Sequence, residues 1–104
     1  MTSHGRGGQK RAVEIMRALM MQPKLLLLDE PMAGLSPSLT RQLEDVLLGL
    51  AQQGLSLLLV EHELDTVERL CATVVVMAQG RVLSQGHMSE LRLSREVQDA
   101  YVIG

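Results

Sequence analysis

The apolar positions of this 104-residue chain alternate between two periods. From Gly8 to Met21, Ala12, Ile15, Met16 and Leu19 recur at i, i+3, i+4 and i+7, with Val13 and Met20 widening the stripe. Lys10, Glu14 and Arg17 take the opposite side, so the spacing predicts an amphipathic helix behind a Gly-rich loop at residues 1–7. Gln22-Pro23 should end it, because proline disfavours a helical residue before it. Leu25 to Leu28 then form a continuous apolar run, too short for a helix, that delivers Asp29 and Glu30 at its end. Such a run reads as a strand buried on both faces. Pro31 to Pro37 is a predicted loop. Ser36-Pro37 offers a hydroxyl cap and a proline at the first helical position, for a helix to about Gln53 with Gly54 as its C-terminal cap. That helix puts Leu39, Leu43, Val46, Leu47 and Leu50 on one face.

Leu55 to Val60 repeats the short apolar run and ends in Glu61-His62-Glu63. A short helix is predicted from about Asp65 to Cys71, then a β-branched strand from Thr73 to Ala78. Gln79-Gly80 marks a tight turn into a returning strand, Arg81 to Gln85. Ser89 to Leu91 is a possible helical turn, and Ser94 a cap for a last helix ending near Tyr101. Strands alternating with helices predict an α/β fold with a parallel sheet, flanking helices and a C-terminal β-hairpin, in one domain over residues 1–104.

Composition narrows the function classes. The chain has one Tyr and neither Phe nor Trp, so its core must be Leu, Val and Met, and bases have almost no stacking platform apart from Tyr101. The seven Met residues are expected as core filler. A net charge of -2 offers no general attraction to nucleic acid or to an anionic membrane, and no nucleic-acid partner is expected. Cys71, the single cysteine, reads as a small core residue. No apolar run approaches the ~20 residues that span a bilayer, and residues 1–6 lack the apolar segment of a signal peptide. A cytoplasmic location follows, with any membrane role supplied by a partner.

Three places could carry chemistry: Gly7-Gly8-Gln9 opening a helix, Asp29-Glu30 at a strand end, and His62 after the next strand. Successive strand ends of a parallel sheet share an edge, so the acids and the histidine can converge there. An Asp in that place can hold magnesium, an adjacent Glu can orient or deprotonate a water, and a nearby His can hydrogen-bond a phosphate oxygen or that water. Gly7 and Gly8 would leave backbone N–H groups at a helix N-terminus, where the dipole favours an anion. Taken singly, each has a plainer reading: solvated acids in a loop, a loop or core histidine, solvated charges at Glu61, Glu63 and Asp65. Gly-Gly-Gln also occurs in peptide-release factors, in a basic domain with a long loop that this chain lacks.

In this order the motifs resemble the second half of an ATP-binding cassette (ABC) transporter ATPase subunit. Gly7-Gly8-Gln9-Lys10-Arg11 with Arg17-Ala18-Leu19 resembles the end of the signature motif and its helix. Leu25 to Glu30 resembles the Walker B strand, Pro31 to Pro37 the D-loop, and His62 the switch histidine. The resemblance covers nearly all of residues 7–104. It implies a partial P-loop NTPase fold, ATP and Mg2+ as cofactors, Asp29 at the magnesium position, and Glu30 and His62 as catalytic residues. Arg6, Gly7, Gly8, Gln9 and Ser36 would be cofactor-binding. Implied partners are a second ABC ATPase subunit in a head-to-tail dimer and transmembrane permease subunits that hold the assembly at the inner face of the cell membrane. Within the family, Gly34-Leu35-Ser36-Pro37, Val60-Glu61-His62-Glu63 and Val97-Gln98-Asp99-Ala100-Tyr101 look most like importers of branched-chain amino acids, with urea or amide importers nearly as close.

Two departures qualify that picture. Where the family's signature opens Leu-Ser, this chain has Gly5 and Arg6, so the serine that would touch a γ-phosphate is replaced by a bulky cation. No Gly-x-x-x-x-Gly-Lys-[Ser/Thr] occurs, and with it go the lysine for the β/γ-phosphates and the hydroxyl for magnesium; the family's glutamine loop is missing too. The chain therefore reads as a truncated or split product lacking the P-loop strand, which leaves either a gap or new pairing between the strands that flank it. Three functions stay open: an importer ATPase subunit, a non-catalytic fragment or interaction module, and an ABC-type ATPase in a soluble role such as DNA repair.

Overall fold

The computed structural model describes residues 3–101, with side chains from Gln9 to Tyr101. The chain forms two compact units, Met1–His62 and Glu63–Gly104. The first is helix α1 (Ser3–Met20), strand β1 (Leu25–Asp29), helix α2 (Pro37–Gln52) and strand β2 (Ser56–Val60). β1 and β2 pair in parallel, from Leu25↔Ser56 to Asp29↔Val60, with α2 as the crossover between them. Antiparallel neighbours can share a tight turn, but parallel ones need such a crossover, so the two leucine runs and the intervening helical period make one βαβ unit.

Local chemistry fixes both ends of α2. Ser36 sits in extended conformation and its Oγ accepts the Leu39 N–H at 3.2 Å, while Pro37 starts the helix with a preset φ. At the other end Gly54 adopts φ +103°, Gly54 N–H donates to Ala51 O (3.0 Å) and Leu55 N–H to Leu50 O (3.2 Å). That paired closure satisfies carbonyls the helix leaves open, and it needs a left-handed residue that glycine supplies without a Cβ clash. Both predicted caps are present.

Three sequence expectations are corrected in this unit. Helix α1 begins at Ser3 rather than Gly8. Glycines lower helix propensity by only about 1 kcal/mol each, and no proline interrupts residues 3–8. β1 is buried on one face and open on the other: Leu26 and Leu28 are buried, whereas Leu25 and Leu27 are 57% and 62% exposed. Leu58 and Val60 of β2 share that open character, while Leu57 and Leu59 are half-buried. A leucine run carries no alternation, so it cannot say how many faces will be covered. The buried apolar set here is Ile15, Leu26, Leu28, Met32 and Leu47. The methionines are not uniformly core either, since Met16, Met20 and Met21 of this unit are exposed.

The second unit packs helix α3 (Leu64–Leu70), the hairpin β3 (Val74–Ala78) and β4 (Arg81–Gly86), and helices α4 (Met88–Leu91) and α5 (Arg95–Tyr101). Gln79 and Gly80 both take positive φ (52° and 75°), the two-residue turn whose twist matches antiparallel strands. Pairing passes from Val76↔Ser84 to Met77↔Val82, so Leu83 is an extra residue on β4, half-buried against the core. That core is Val67, Val76, Met88, Leu91 and Val97, with Leu64, Cys71, Val74 and Leu83 packed on it. Burial pushes the Cys71 thiol pKa up. Ser94 caps α5 through its Oγ, which accepts the Val97 N–H at 3.4 Å. Among the described residues β1–β2 and β3–β4 are two separate two-stranded sheets, so the expected new pairing between β2 and β3 does not occur.

Candidate functional site

The carboxyl ends of β1 and β2 bring the predicted acid and histidine together. Asp29 and Val60 form the last rung of the parallel ladder, and Glu30 N–H extends it by donating to Val60 O at 2.7 Å. Glu30 then turns left-handed, with φ +46°. A non-glycine residue there carries backbone strain of roughly 1–3 kcal/mol, and such residues cluster at functional sites. In this conformation the Glu30 carboxylate meets His62, two residues beyond Val60: Nδ1 lies 2.7 Å from Oε1. Both side chains are about half exposed, Glu30 at 49% and His62 at 61%, so water reaches the pair. Asp29 is exposed at the strand end.

Glu61 lies between the two in a different setting. Its side chain is 1% exposed, with Oε1 accepting the His62 backbone N–H at 3.1 Å and Oε2 the Met32 N–H at 3.4 Å. Oε1 is also 3.8 Å from His62 Nδ1. The plain reading of Glu61 as a solvated charge is therefore wrong: it is a buried acceptor for two backbone donors at the site. The donors hold it there, since a carboxylate removed from water needs them. Arg11, quoted in the sequence only as the end of the signature-like segment, is the second residue whose role at the site the sequence did not show. From α1, its Nη1 donates to Pro31 O and, at 2.8 Å, to Ala33 O. A signal for it existed, because Arg11 stands four residues before buried Ile15 and so on the same helix face.

The remaining predicted site residues fare differently. Ser36 Oγ is engaged in capping α2. Gln9 is exposed on α1. Arg6, Gly7 and Gly8 lie outside the residues whose side chains are described, although α1 already includes their positions. One atom each of Glu30, Glu61 and His62 lie within 4.8 Å of one another, and Asp29 is not in that group. For magnesium, the exposed Asp29 carboxylate is a hard oxygen donor of the kind that this ion takes beside its waters and substrate phosphates. For ATP the fit is poor, because no phosphate-cradling Gly-Lys loop is present in these residues.

The fold is that of an ABC ATPase cassette, in part: α/β, with a parallel sheet, flanking helices and a small antiparallel hairpin. Residues 4–33 match the ABC transporter family. Over 88 residues, 84% of this chain, the sequence is 44% identical to the methionine import ATP-binding protein MetN of Caulobacter vibrioides, covering 26% of that protein. It is 36% identical over 96 residues to the probable branched-chain amino acid transport ATP-binding protein LivG of Archaeoglobus fulgidus, covering 92% of this chain and 37% of that one. The crystal structure of a nucleotide-free ATP-binding cassette from an ABC transporter superposes with a TM-score of 0.85 at 34% identity, over 94% of this chain and 40% of the other. The chain corresponds to part of an ABC transporter ATP-binding subunit. It spans between a quarter and two-fifths of the length of these relatives.

Proposed function

We propose that this chain supplies the acid–histidine part of the nucleotide site in an ATP-hydrolysing subunit of an amino-acid importer. The observation that carries the reading is the Glu30–His62 pair at 2.7 Å on the carboxyl edge of a parallel βαβ unit. Glu30 is the general base: its carboxylate is half exposed, and a base must reach the proton that it removes from water. His62 meets that carboxylate through Nδ1 at 2.7 Å, as its hydrogen-bond partner. Asp29 would hold magnesium, which when bound offsets phosphate charge. Arg6, Gly7, Gly8 and Gln9 are assigned to nucleotide contact across a head-to-tail pair of subunits. Ser36 is assigned there too, although its capping bond competes with that role.

The substrate reading is a branched-chain amino acid, with permease subunits as membrane partners and a peripheral site on the cytoplasmic face. It draws on the Gly34–Pro37, Val60–Glu63 and Val97–Tyr101 segments and on the LivG likeness, which spans 92% of the chain. Against it, MetN is more identical over a shorter span, and its name says methionine. Both compact units belong, in this reading, to one partial ATPase domain. No helix of the described residues is long and apolar enough to cross a membrane, consistent with attachment through partners.

A second reading, a non-catalytic fragment, is favoured by one observation: the chain contains no P-loop sequence. Fusing this chain behind the P-loop part of the LivG relative separates the two. The chain alone should show no ATP turnover. The fusion should hydrolyse ATP at a rate that Glu30→Gln and His62→Ala each abolish. A fusion that binds ATP, yet turns it over at the same rate with Gln at position 30, refutes the assignment of the base.

A further inference from the structure

The turn after β1 leaves its backbone polar groups little freedom. Pro31 and Met32 are buried, so the two carbonyls and the Met32 N–H need partners, Pro31 having no N–H. Ala33 N–H donates to Glu30 O at 3.1 Å and Leu35 N–H to Met32 O at 3.1 Å, which closes two successive turns. The groups left over are met by side chains from elsewhere in the unit. Carbonyls 31 and 33 accept from one nitrogen of Arg11, and the Met32 N–H donates to Glu61. A cation on α1 and a buried anion after β2 thus grip the same three-residue turn through groups of opposite polarity.

We propose that Arg11 and Glu61 are positioning residues that set the direction of the Glu30 carboxylate, with Arg11 tying it to helix α1. The inference rests on Glu30 being the base of the proposed site. Glu30 is the first residue of the gripped turn, and its left-handed φ of +46° is a conformation that a loose chain would leave. The 31–33 turn is its C-terminal anchor and the Val60 O bond its N-terminal one. Glu61 also accepts the His62 backbone N–H, so one buried carboxylate references both partners of the acid–histidine pair. Arg11 lies two residues after Gln9 on the same helix, so a displacement of the signature-like segment would reach carbonyls 31 and 33 through one side chain.

The test uses the full chain without nucleotide, so its outcome is independent of whether the assembled protein is an ATPase. Imidazole nitrogen shifts of His62 and the exchange rate of the Met32 amide are read by NMR, since the protonated ring nitrogen is set by the hydrogen bond it makes. Glu30→Ala gives the values for a ring without the Glu30 carboxylate. Arg11→Met, which keeps an apolar stem and removes the donors, should move the His62 nitrogens toward those values and speed Met32 exchange by about tenfold. Arg11→Lys, whose ammonium can still donate to both carbonyls, should restore both toward the parent. Unchanged Leu26 and Leu47 signals, from the buried set of the same unit, show that its fold survives; a merely structural role would leave the His62 nitrogens unmoved. Parent-like His62 shifts and Met32 exchange in Arg11→Met overturn the proposal. Should the Met variant not fold, Arg11→Gln is read by the same two signals, and parent-like values overturn it equally.

Discussion

The left-handed backbone at Glu30 predicts that glycine is more stable than alanine at this position. Two substitutions isolate the effect. Glu30→Ala and Glu30→Gly both remove the pair with His62, a half-exposed contact contributing about 0–1 kcal/mol, so that loss cancels between them. What remains is the backbone. At φ +46° the Cβ of alanine retains a cost of about 1–2 kcal/mol, which glycine escapes. Glycine loses roughly 0.4–1 kcal/mol through the greater freedom of its unfolded chain. The balance favours Glu30→Gly over Glu30→Ala by about 0.8 kcal/mol, the middle of those two ranges. The same comparison at Gln42, exposed within α2, should reverse sign, with alanine more stable by about 1 kcal/mol. Urea unfolding followed by circular dichroism reads all four variants at constant m. If Glu30→Ala is as stable as Glu30→Gly, the strain is not there. Should the order hold, the position carries a side chain at a backbone cost, which is expected where the carboxylate is used.

Three further outcomes follow from the packing. Leu47 is fully buried in α2, so Leu47→Ala should cost about 2–5 kcal/mol in urea unfolding, whereas Leu93→Ala, at an 82% exposed site, should stay within about 0.5 kcal/mol. Equal losses would mean that α2 does not seal this core. Ser36→Ala should cost about 1 kcal/mol and Ser36→Asp much less, because aspartate also caps; an Asp variant as unstable as Ala would release the hydroxyl from its structural role. Burial raises the Cys71 pKa above the ordinary thiol value, so the folded chain resists ionisation that the unfolded chain accepts. That contribution is complete below the unfolded thiol pKa and fades as pH rises through the folded one. The urea midpoint of the parent should therefore fall relative to Cys71→Ala between pH 8 and pH 10, and parallel midpoints would contradict it.

What could be read from the sequence was local. Ser36-Pro37, Gly54 and Gln79-Gly80 act within a few residues of themselves, and each stands where its backbone preference puts it. Two short apolar runs flanking a helical period gave the parallel pair, and with it the convergence of Glu30 and His62. The misses are residues whose setting is decided from a distance. Leu25 and Leu27 are chemically the same as Leu26 and Leu28, and only what covers a sheet face separates them. Met20 and Met21 are apolar and yet 82% and 84% exposed, because they fall at the end of α1. Glu61 looked like Glu63, but only Glu61 has a buried turn N–H opposite it.

The same division explains how the site is built. The acid–histidine distance depends on counting: Asp29↔Val60 is the last rung, Glu30 stands one residue beyond it and His62 two. Strand length and register are set by the leucine runs and by the length of α2, so the pair needs no designed contact to come within reach. Direction is another matter. A half-exposed glutamate on a left-handed residue has several rotamers, and a single 2.7 Å contact to a half-exposed imidazole holds it weakly. The stronger constraints act on the backbone, where a guanidinium and a buried carboxylate grip residues 31–33. Register therefore places Glu30 near His62, while Arg11 and Glu61 decide where its carboxylate points. Under the proposed function that direction serves a nucleotide, for whose phosphates no Gly-Lys loop is present among these residues.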